Sequence, residues 1–354
     1  MNSNLNYPNY VKDPTELDQA FNRIVKAIIN GDAEILFGAG MSRESVVPTG
    51  KELLLALLNE FFLPQGINPP SQERLDLISN EFPFEAICEA IENMPGTKRN
   101  DLTNLLRKQI LDTGNEPSQA HLDFLSVIHD GGGIRFKQII TTNFDYLIEE
   151  TIGRERTIPI TEENRRDLEK SQQNGLIPII HLHGLLDKPG QDYIITESDI
   201  FRLEFSSIKT AFQTALYNAD AFIFVGYSMT DPDFRRIYLE FRNQIKDRKT
   251  RDKDSYVVYP ANDEFSYYLG RKIWELRGAI WIPLAAGAFF AKLKYYMSSR
   301  AYIEARNAIK IKYNIKDENF LDDLIKRTKD IFGITDSAAI RFLLQTQSRL
   351  GGTK

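Results

Sequence analysis

The chain has 354 residues, of which 42% are hydrophobic and 26% are charged, proportions that are ordinary for a globular protein. Its 44 basic and 49 acidic residues leave a net charge of −5, so no direct binding to nucleic acid is expected. The single cysteine, Cys88, excludes an internal disulfide and any cysteine-rich zinc site. The N-terminus has no apolar signal-peptide core, and the longest apolar run, residues 279–291, is too short to span a bilayer. We therefore expect a soluble, cytoplasmic protein that does not insert into a membrane.

Short apolar strands and amphipathic helices alternate along most of the chain. Helical spacing predicts a first helix that begins after Pro14 and ends at Gly31, followed by a buried strand at residues 33–37. Such alternation is typical of a Rossmann-like α/β fold, in which helices cover both faces of a parallel sheet. Further strands are predicted at residues 136–142, 176–183, 221–225, 255–259 and 279–283, with helices at 207–218, 233–246 and 263–277.

Two mostly helical stretches interrupt or follow this pattern. Residues 51–130 are too long for a simple crossover between strands, so we predict a helical insertion within a catalytic domain of residues 1–284. Residues 285–354 are predicted to form a C-terminal helical region with helices at 288–302, 319–332 and 337–349. The segment before Asp13 shows little periodicity, and either a flexible arm or a strap between subunits fits it.

Polar clusters stand at the predicted carboxyl ends of four strands, the edge where open parallel sheets bind their ligands. A glycine turn, Gly-Ala-Gly-Met-Ser, occupies residues 38–42, where backbone N–H groups can receive a phosphate. The dinucleotide fingerprint is incomplete, because Arg43 stands where its third glycine is expected. The other clusters are Thr-Asn-Phe-Asp at 142–145, His-Leu-His-Gly at 181–184 and Gly-Tyr-Ser at 226–228.

These four clusters, in this order, resemble the sirtuin superfamily. Residues 38–42 are similar to its Gly-Ala-Gly-Ile-Ser phosphate turn, and residues 142–145 to its Gln-Asn-x-Asp segment. Residues 183–184 resemble its catalytic His-Gly, and residues 226–228 its Gly-Thr-Ser turn. The resemblance extends over about residues 31–284 and implies that the chain binds NAD as a substrate and breaks its nicotinamide–ribose bond.

The departures from ordinary sirtuin deacylases are also informative. Their four-cysteine zinc ribbon is impossible here, and Val-Val-Pro-Thr-Gly at residues 46–50 replaces the Asp-Phe-Arg that usually follows the phosphate turn. The chain looks closer to divergent bacterial sirtuin-like domains of antiphage defence, which degrade NAD. That resemblance implies a protein partner such as a HerA-type ATPase or an Argonaute. Apolar positions in the C-terminal helices, such as Phe320 and Ile331, must be buried either against the sheet domain or against another subunit or partner, and we predict a homo-oligomer.

The resemblance also implies roles for individual residues. Asn143 would hold a ribose hydroxyl and the attacking water, and His183 would accept a proton, for which its ordinary pKa of about 6.5 is suitable near neutral pH. Asp145 would contact the nicotinamide amide. The remaining predicted dinucleotide contacts are Gly38, Ala39, Gly40, Ser42, Thr142, Gly226 and Ser228.

Each assignment has a simpler structural alternative. Asn143 could merely end a strand, Asp145 could cap the following helix, and His183 could be a structural histidine. His181 is more consistent with the core, and His121 with packing at a helix start. The histidines lack acidic or cysteine companions at metal-ligand spacing, so no metal site is predicted. At the level of the whole protein, an NAD-dependent deacylase and a non-catalytic NAD or ADP-ribose binding module remain alternatives to an NAD hydrolase.

Overall fold

The computed structural model divides the chain into two compact units, residues 1–292 and 293–354. It describes residues 6–45, 47–68, 70–111, 114–128, 136–187, 193–204, 206–227, 232–246, 254–334 and 336–345. The helices are α1 (Thr15–Asn30), α2 (Gly50–Phe62), α3 (Gln72–Glu81), α4 (Phe84–Glu92), α5 (Arg99–Ile110), α6 (Gln119–Ile128), α7 (Leu147–Ile152), α8 (Asp167–Gln173), α9 (Glu197–Glu204), α10 (Ser207–Asn218), α11 (Pro232–Lys246), α12 (Glu264–Leu276), α13 (Ala286–Lys312), α14 (Glu318–Phe332) and α15 (Asp336–Gln345).

A parallel seven-stranded sheet organises the first unit, with the strand order 3-4-2-1-5-6-7. Every residue of the first, fourth and fifth strands is buried, as expected for a sheet that helices cover on both faces. The predicted Rossmann-like α/β fold, with a helical insertion and C-terminal helices, is confirmed. The strands are β1 (Ala33–Phe37), β2 (Ile139–Thr141), β3 (Thr157–Ile160), β4 (Ile177–His181), β5 (Ala221–Val225), β6 (Asp254–Val258) and β7 (Ile280–Ile282).

The sequence prediction missed one strand, β3, and shortened one helix. β3 lies at the edge of the sheet, is only partly buried and contains Pro159. Proline is tolerated at an edge because a missing backbone donor there breaks no inner ladder, but it weakens the strand pattern in the sequence. Helix α13 is longer than the predicted helix at 288–302. The end of the predicted helix at 337–349 lies outside the described residues.

The helical insertion between β1 and β2 has its own hydrophobic cluster. Thr49 begins α2 through a capping box with Glu52, in which each side chain bonds the other's backbone N–H. Leu54, Leu57 and Cys88 are among the buried members of the cluster. Leu186, Tyr193 and Ile195, which follow β4, belong to the same cluster. The insertion is therefore packed against the chain that leaves the carboxyl end of β4.

The N-terminal segment packs against its own chain. The hydroxyl of Tyr7 donates to Asp18 at 2.8 Å, and the ring of Tyr10 lies 5.2 Å from that of Tyr267. The ammonium of Lys292 lies 3.8 Å from the centre of the Tyr7 ring, a cation–π contact. These contacts fasten the segment to α1, α12 and α13 within the first unit.

The second unit is built from the later part of α13 with α14 and α15. Leu321 and Ile325 of α14 are buried with Ile309, Ile340 and Leu343. The predicted amphipathic pattern of this region therefore covers a small core of its own. Across the described parts of the chain, no helix has the length and apolar character needed to cross a membrane.

Candidate active site

The four strands that end in the predicted polar clusters are neighbours in the sheet. They lie in the order β4-β2-β1-β5, so their carboxyl ends meet at one edge of the sheet. A cavity of about 410 Å³ opens there. This volume lies within the range of small-molecule sites, which is about 300–1,000 Å³. Eight of its lining residues belong to the predicted set: Ala39, Gly40, Ser42, Thr142, Asn143, Asp145, His183 and Gly226.

The floor of the cavity is formed where two glycine turns cross. The N–H of Gly40 donates to the carbonyl oxygen of Gly226 at 2.9 Å, and the N–H of Gly38 donates to Val225 at 3.0 Å. A Cβ on Gly40 would lie 2.7 Å from the Cα of Gly226, and Gly226 itself has a φ of +66°. The glycines of both turns are thus required for contact between the turns, before any ligand is considered.

Asn143 is fixed on both its backbone and its side chain. Its N–H donates to the Oγ1 of Thr141 at 3.0 Å. Its Nδ2 donates to the Oγ of Ser42 at 3.1 Å, and Ser42 in turn donates to an oxygen of Asp145 at 3.2 Å. Because Nδ2 is turned toward Ser42, the amide oxygen of Asn143 is turned away from it. An acceptor held in this way can receive a hydrogen bond from a hydroxyl or a water molecule.

Asp145 both caps a helix and lines the cavity. Its Oδ1 accepts from the N–H of Leu147 at 3.0 Å, at the start of α7. Burial is the main influence on this carboxyl and raises its pKa to about 6, although the bonds from Leu147 and Ser42 favour the charged form. The capping role and a place in the cavity wall are therefore compatible.

His183 lies two residues after the last residue of β4 and contributes to the cavity wall. Its ring centre lies 6.0 Å from that of Phe144, and its Nε2 is buried although the residue as a whole keeps some exposed surface. Burial lowers the pKa of the imidazole to about 4, well below the ordinary value assumed from sequence. His183 is consequently neutral near pH 7.

His181 lies beneath the site, fully buried in β4. Its Nε2 lies 2.7 Å from an oxygen of Glu149 in α7, and its Nδ1 lies 3.1 Å from the backbone oxygen of Asn143. The prediction that His181 belongs to the core agrees with this position. No local sequence pattern indicates Glu149 as its partner, because the two residues are 32 positions apart.

An apolar part of the cavity wall comes from the helical insertion, which sequence reasoning did not connect with the site. Leu53 of α2, Phe84 of α4 and Ile110 of α5 line this side, together with Pro48. Arg43 adds an exposed guanidinium to the same cavity. The sequence singled out only two of these residues: Arg43 directly follows the glycine turn, and Pro48 belongs to the segment that replaces Asp-Phe-Arg.

The remaining predicted residues are placed as follows. Gly226 lines the cavity, whereas Gly38 packs behind the turn and is not among the lining residues. Ser228 lies outside the described residues. His121 is buried at the start of α6, where its Nδ1 accepts from the N–H of Ser118. Within the described part of the chain, no group of three His, Cys, Asp or Glu side chains is arranged to hold a metal ion.

Comparison with known proteins finds a matching family model and two curated relatives. Residues 137–282 match the family described as the SIR2-like domain. Two curated relatives are each named NAD(+) hydrolase ThsA. The protein from Acinetobacter baumannii (strain 532279) is 26% identical over 253 residues, which cover 70% of this chain and 48% of that protein. The protein from Enterococcus faecium is 25% identical over 229 residues, which cover 64% and 43%.

The matches therefore span about half the length, or less, of these curated relatives. A solved SIR2 homologue in complex with NAD is 15% identical, with a TM-score of 0.43 over 79% of this chain and 94% of that one. A likeness at this level adds no argument about the site. The family match shows a SIR2-like domain at residues 137–282, and the ordered motifs of the chain resemble those of the sirtuin superfamily.

Proposed function

We propose that this chain is an NAD hydrolase that cleaves NAD into nicotinamide and ADP-ribose. The observation that carries the proposal is the meeting of Asn143 and His183 with the glycine turn in one cavity at the carboxyl edge of the sheet. The names of the two curated relatives support the same activity. The exposed guanidinium of Arg43 offers a positive charge to the diphosphate of the substrate.

The reaction breaks the bond between ribose C1′ and the nicotinamide nitrogen. The bonding electrons leave with nicotinamide, positive charge develops on the ribose, and water attacks C1′ and loses a proton. In this proposal the amide oxygen of Asn143 accepts a hydrogen bond from a ribose hydroxyl or from the water. Asp145 accepts from the nicotinamide carboxamide. The apolar wall from the insertion limits access of other water to the reacting carbon.

His183 acts in its neutral form. With a pKa of about 4 it carries no proton near pH 7, so its ring can accept a hydrogen bond. A base with a pKa of about 4 is too weak to remove a proton completely from a ribose hydroxyl or from water before the bond to nicotinamide begins to break. We therefore assign it to holding a ribose hydroxyl or the water, with the proton moving toward it as positive charge develops.

The test is NAD turnover by the wild type, His183→Ala and Asn143→Ala, measured with and without the product of the neighbouring gene. Loss of a positioned base typically lowers the rate about 10²- to 10⁴-fold, and we expect losses in this range. Asn22→Ala, at an exposed position in α1, is the matched control and should keep the wild-type rate. Variants at Asn143 and His183 that turn over NAD at the wild-type rate would contradict the assignment.

The products distinguish the alternative functions. Free ADP-ribose supports the hydrolase, whereas acyl-ADP-ribose formed from an acylated lysine peptide would identify a deacylase. Binding of NAD that leaves it unchanged under every condition would identify a non-catalytic binding module.

We further propose that the protein is a cytoplasmic effector of antiphage defence that acts by depleting NAD. An enzyme that empties the NAD pool needs a restrained resting state, which fits control by assembly with a partner such as a HerA-type ATPase or an Argonaute.

Exposed Ile311 and Ile331 in the second unit support a homo-oligomer, because large apolar side chains at the surface favour association. The homo-oligomer and its control are tested by measuring the molar mass by light scattering and the NAD turnover with and without the product of the neighbouring gene. A monomer that hydrolyses NAD at the full rate alone would refute the proposal.

A further inference from the structure

A buried acid–histidine pair lies directly under Asn143 and has no assigned role. The side chains of Glu149 and His181 are only 2% and 0% exposed, so neither can exchange its partner for water. The two ring nitrogens of His181 face two different oxygens: a carboxylate oxygen of Glu149 at 2.7 Å and the backbone oxygen of Asn143 at 3.1 Å. The pair thus connects α7 to the backbone of a residue in the cavity wall.

The number of protons in this arrangement follows from its geometry. A carbonyl oxygen only accepts, so the Nδ1 of His181 must carry a hydrogen to bond Asn143. An ionised Glu149 also only accepts, so Nε2 must carry a hydrogen as well. Two protons satisfy both contacts: either His181 is an imidazolium and Glu149 a carboxylate, or a protonated Glu149 donates to the Nε2 of a neutral His181. The raised pKa of His181 favours the first arrangement. A neutral imidazole beside an ionised Glu149 would turn one lone pair toward an oxygen, which in a buried site is costly.

We propose that Glu149 and His181 form a positioning pair for Asn143, in which the carboxylate keeps His181 doubly protonated and the Nδ1–H of His181 holds the Asn143 backbone. Ser42 fixes the side chain of the same residue from the other side. Asn143 is therefore held both by its backbone and by its side-chain amide. A residue that orients a reactant through its amide oxygen must be fixed in this way. The consequence for turnover rests on the proposed NAD hydrolysis; the protonation state does not.

The charges around His181 agree with this assignment. Burial opposes its positive charge, but the charge of Glu149 and its hydrogen bond outweigh burial, and Asp145 adds a smaller favourable effect, so the pKa of His181 is raised. Glu149 faces it from α7 and Asp145 from the turn before α7, while His183, the next histidine along the chain, is neutral. As pH rises through the raised pKa, the pair loses its proton and Asn143 loses its anchor. Turnover should therefore decline on the alkaline side.

The decisive measurement is ¹⁵N NMR of the imidazole rings, which the chain's four histidines make tractable. In the wild type we expect the ring of His181, identified by its loss in His181→Asn, to keep both nitrogens protonated through neutral pH. Glu149→Gln keeps the size and one acceptor oxygen but removes the charge, so this ring should become neutral near pH 7. Glu150→Gln is the matched control, because its carboxylate is the next one along α7 and pairs with exposed Arg154.

Turnover gives the second readout. Glu149→Gln should lower kcat roughly ten- to a hundredfold, the equivalent of a lost hydrogen bond to a charged group, and should remove the alkaline decline or move it to lower pH. In the Glu149→Gln background, His181→Asn retains a donor at the Nδ1 position, whereas His181→Gln places its amide at the Nε2 position. We expect the Asn variant to exceed the Gln variant in kcat, with little change in KM for either.

Two results would overturn the proposal. One is a neutral His181 in the wild type at pH 7, and the other is a doubly protonated His181 that survives in Glu149→Gln. Neither result depends on NAD hydrolysis, so the positioning pair and the proposed enzyme can fail separately. If the wild type has no turnover but its NMR spectra behave as expected, the pair stands and the proposed function falls.

Discussion

Substitution of Gly226 by alanine tests whether the two glycine turns under the cavity are held by direct contact. An added Cβ would lie 2.6 Å from the carbonyl carbon of Gly40 and would also meet the backbone nitrogen of Met41. These are backbone atoms, which cannot rotate away as the end of a side chain can. The φ of +66° at Gly226 adds a second cost for any residue with a Cβ.

The two costs can be separated with a matched control. Gly31 has a nearly identical φ of +73°, but a Cβ there would have no atom within 4 Å. Gly31→Ala should therefore cost only the left-handed backbone term, about 1–2 kcal/mol. Gly226→Ala should cost that term plus overpacking of about 1–3 kcal/mol, which gives about 2–5 kcal/mol in total. The difference between the two variants isolates the contact between the turns.

Urea unfolding followed by tryptophan fluorescence is a suitable assay. Both tryptophans of the chain, Trp274 and Trp281, are buried in the first unit, so the signal reports on the unit that holds the turns. Gly226→Ala should also weaken NAD binding, because the displaced turn carries Ala39 and Gly40 in the cavity wall. Equal losses of unfolding free energy for Gly226→Ala and Gly31→Ala would refute the reasoning.

Three further predictions concern pH, metal and the N-terminal segment. Because the pKa of Asp145 is about 6 and its ionised form is the better acceptor, kcat/KM should rise from about pH 5 to about pH 7, and Asp145→Asn should flatten this rise; an unchanged profile would exclude Asp145 as its source. Zinc chelators should change neither turnover nor thermal stability, and stoichiometric zinc in elemental analysis would contradict this. Tyr10→Ala should lower the unfolding free energy of the first unit by about 1 kcal/mol through loss of its ring contact with Tyr267, a loss that urea titration would detect.

The sequence by itself determined the fold class and the residues that meet at the sheet edge. Strands such as Ala33–Phe37 and Ala221–Val225 are continuous apolar runs, and this pattern is local, so a single sequence displays it directly. Parallel strands all end at one edge when helices connect them. That rule was sufficient to predict that residues after β1, β2, β4 and β5 would lie close together.

Only the tertiary structure decided which groups surround those residues and with what charge. The partner of His181 is Glu149, the glycines of two distant turns contact each other, and the apolar wall comes from an insertion whose link to the site no motif displays. The pKa of His183 falls to about 4, although its residue type alone suggested a value near neutrality. Contacts and burial of this kind depend on how distant segments pack, and local sequence patterns carry little information about such packing.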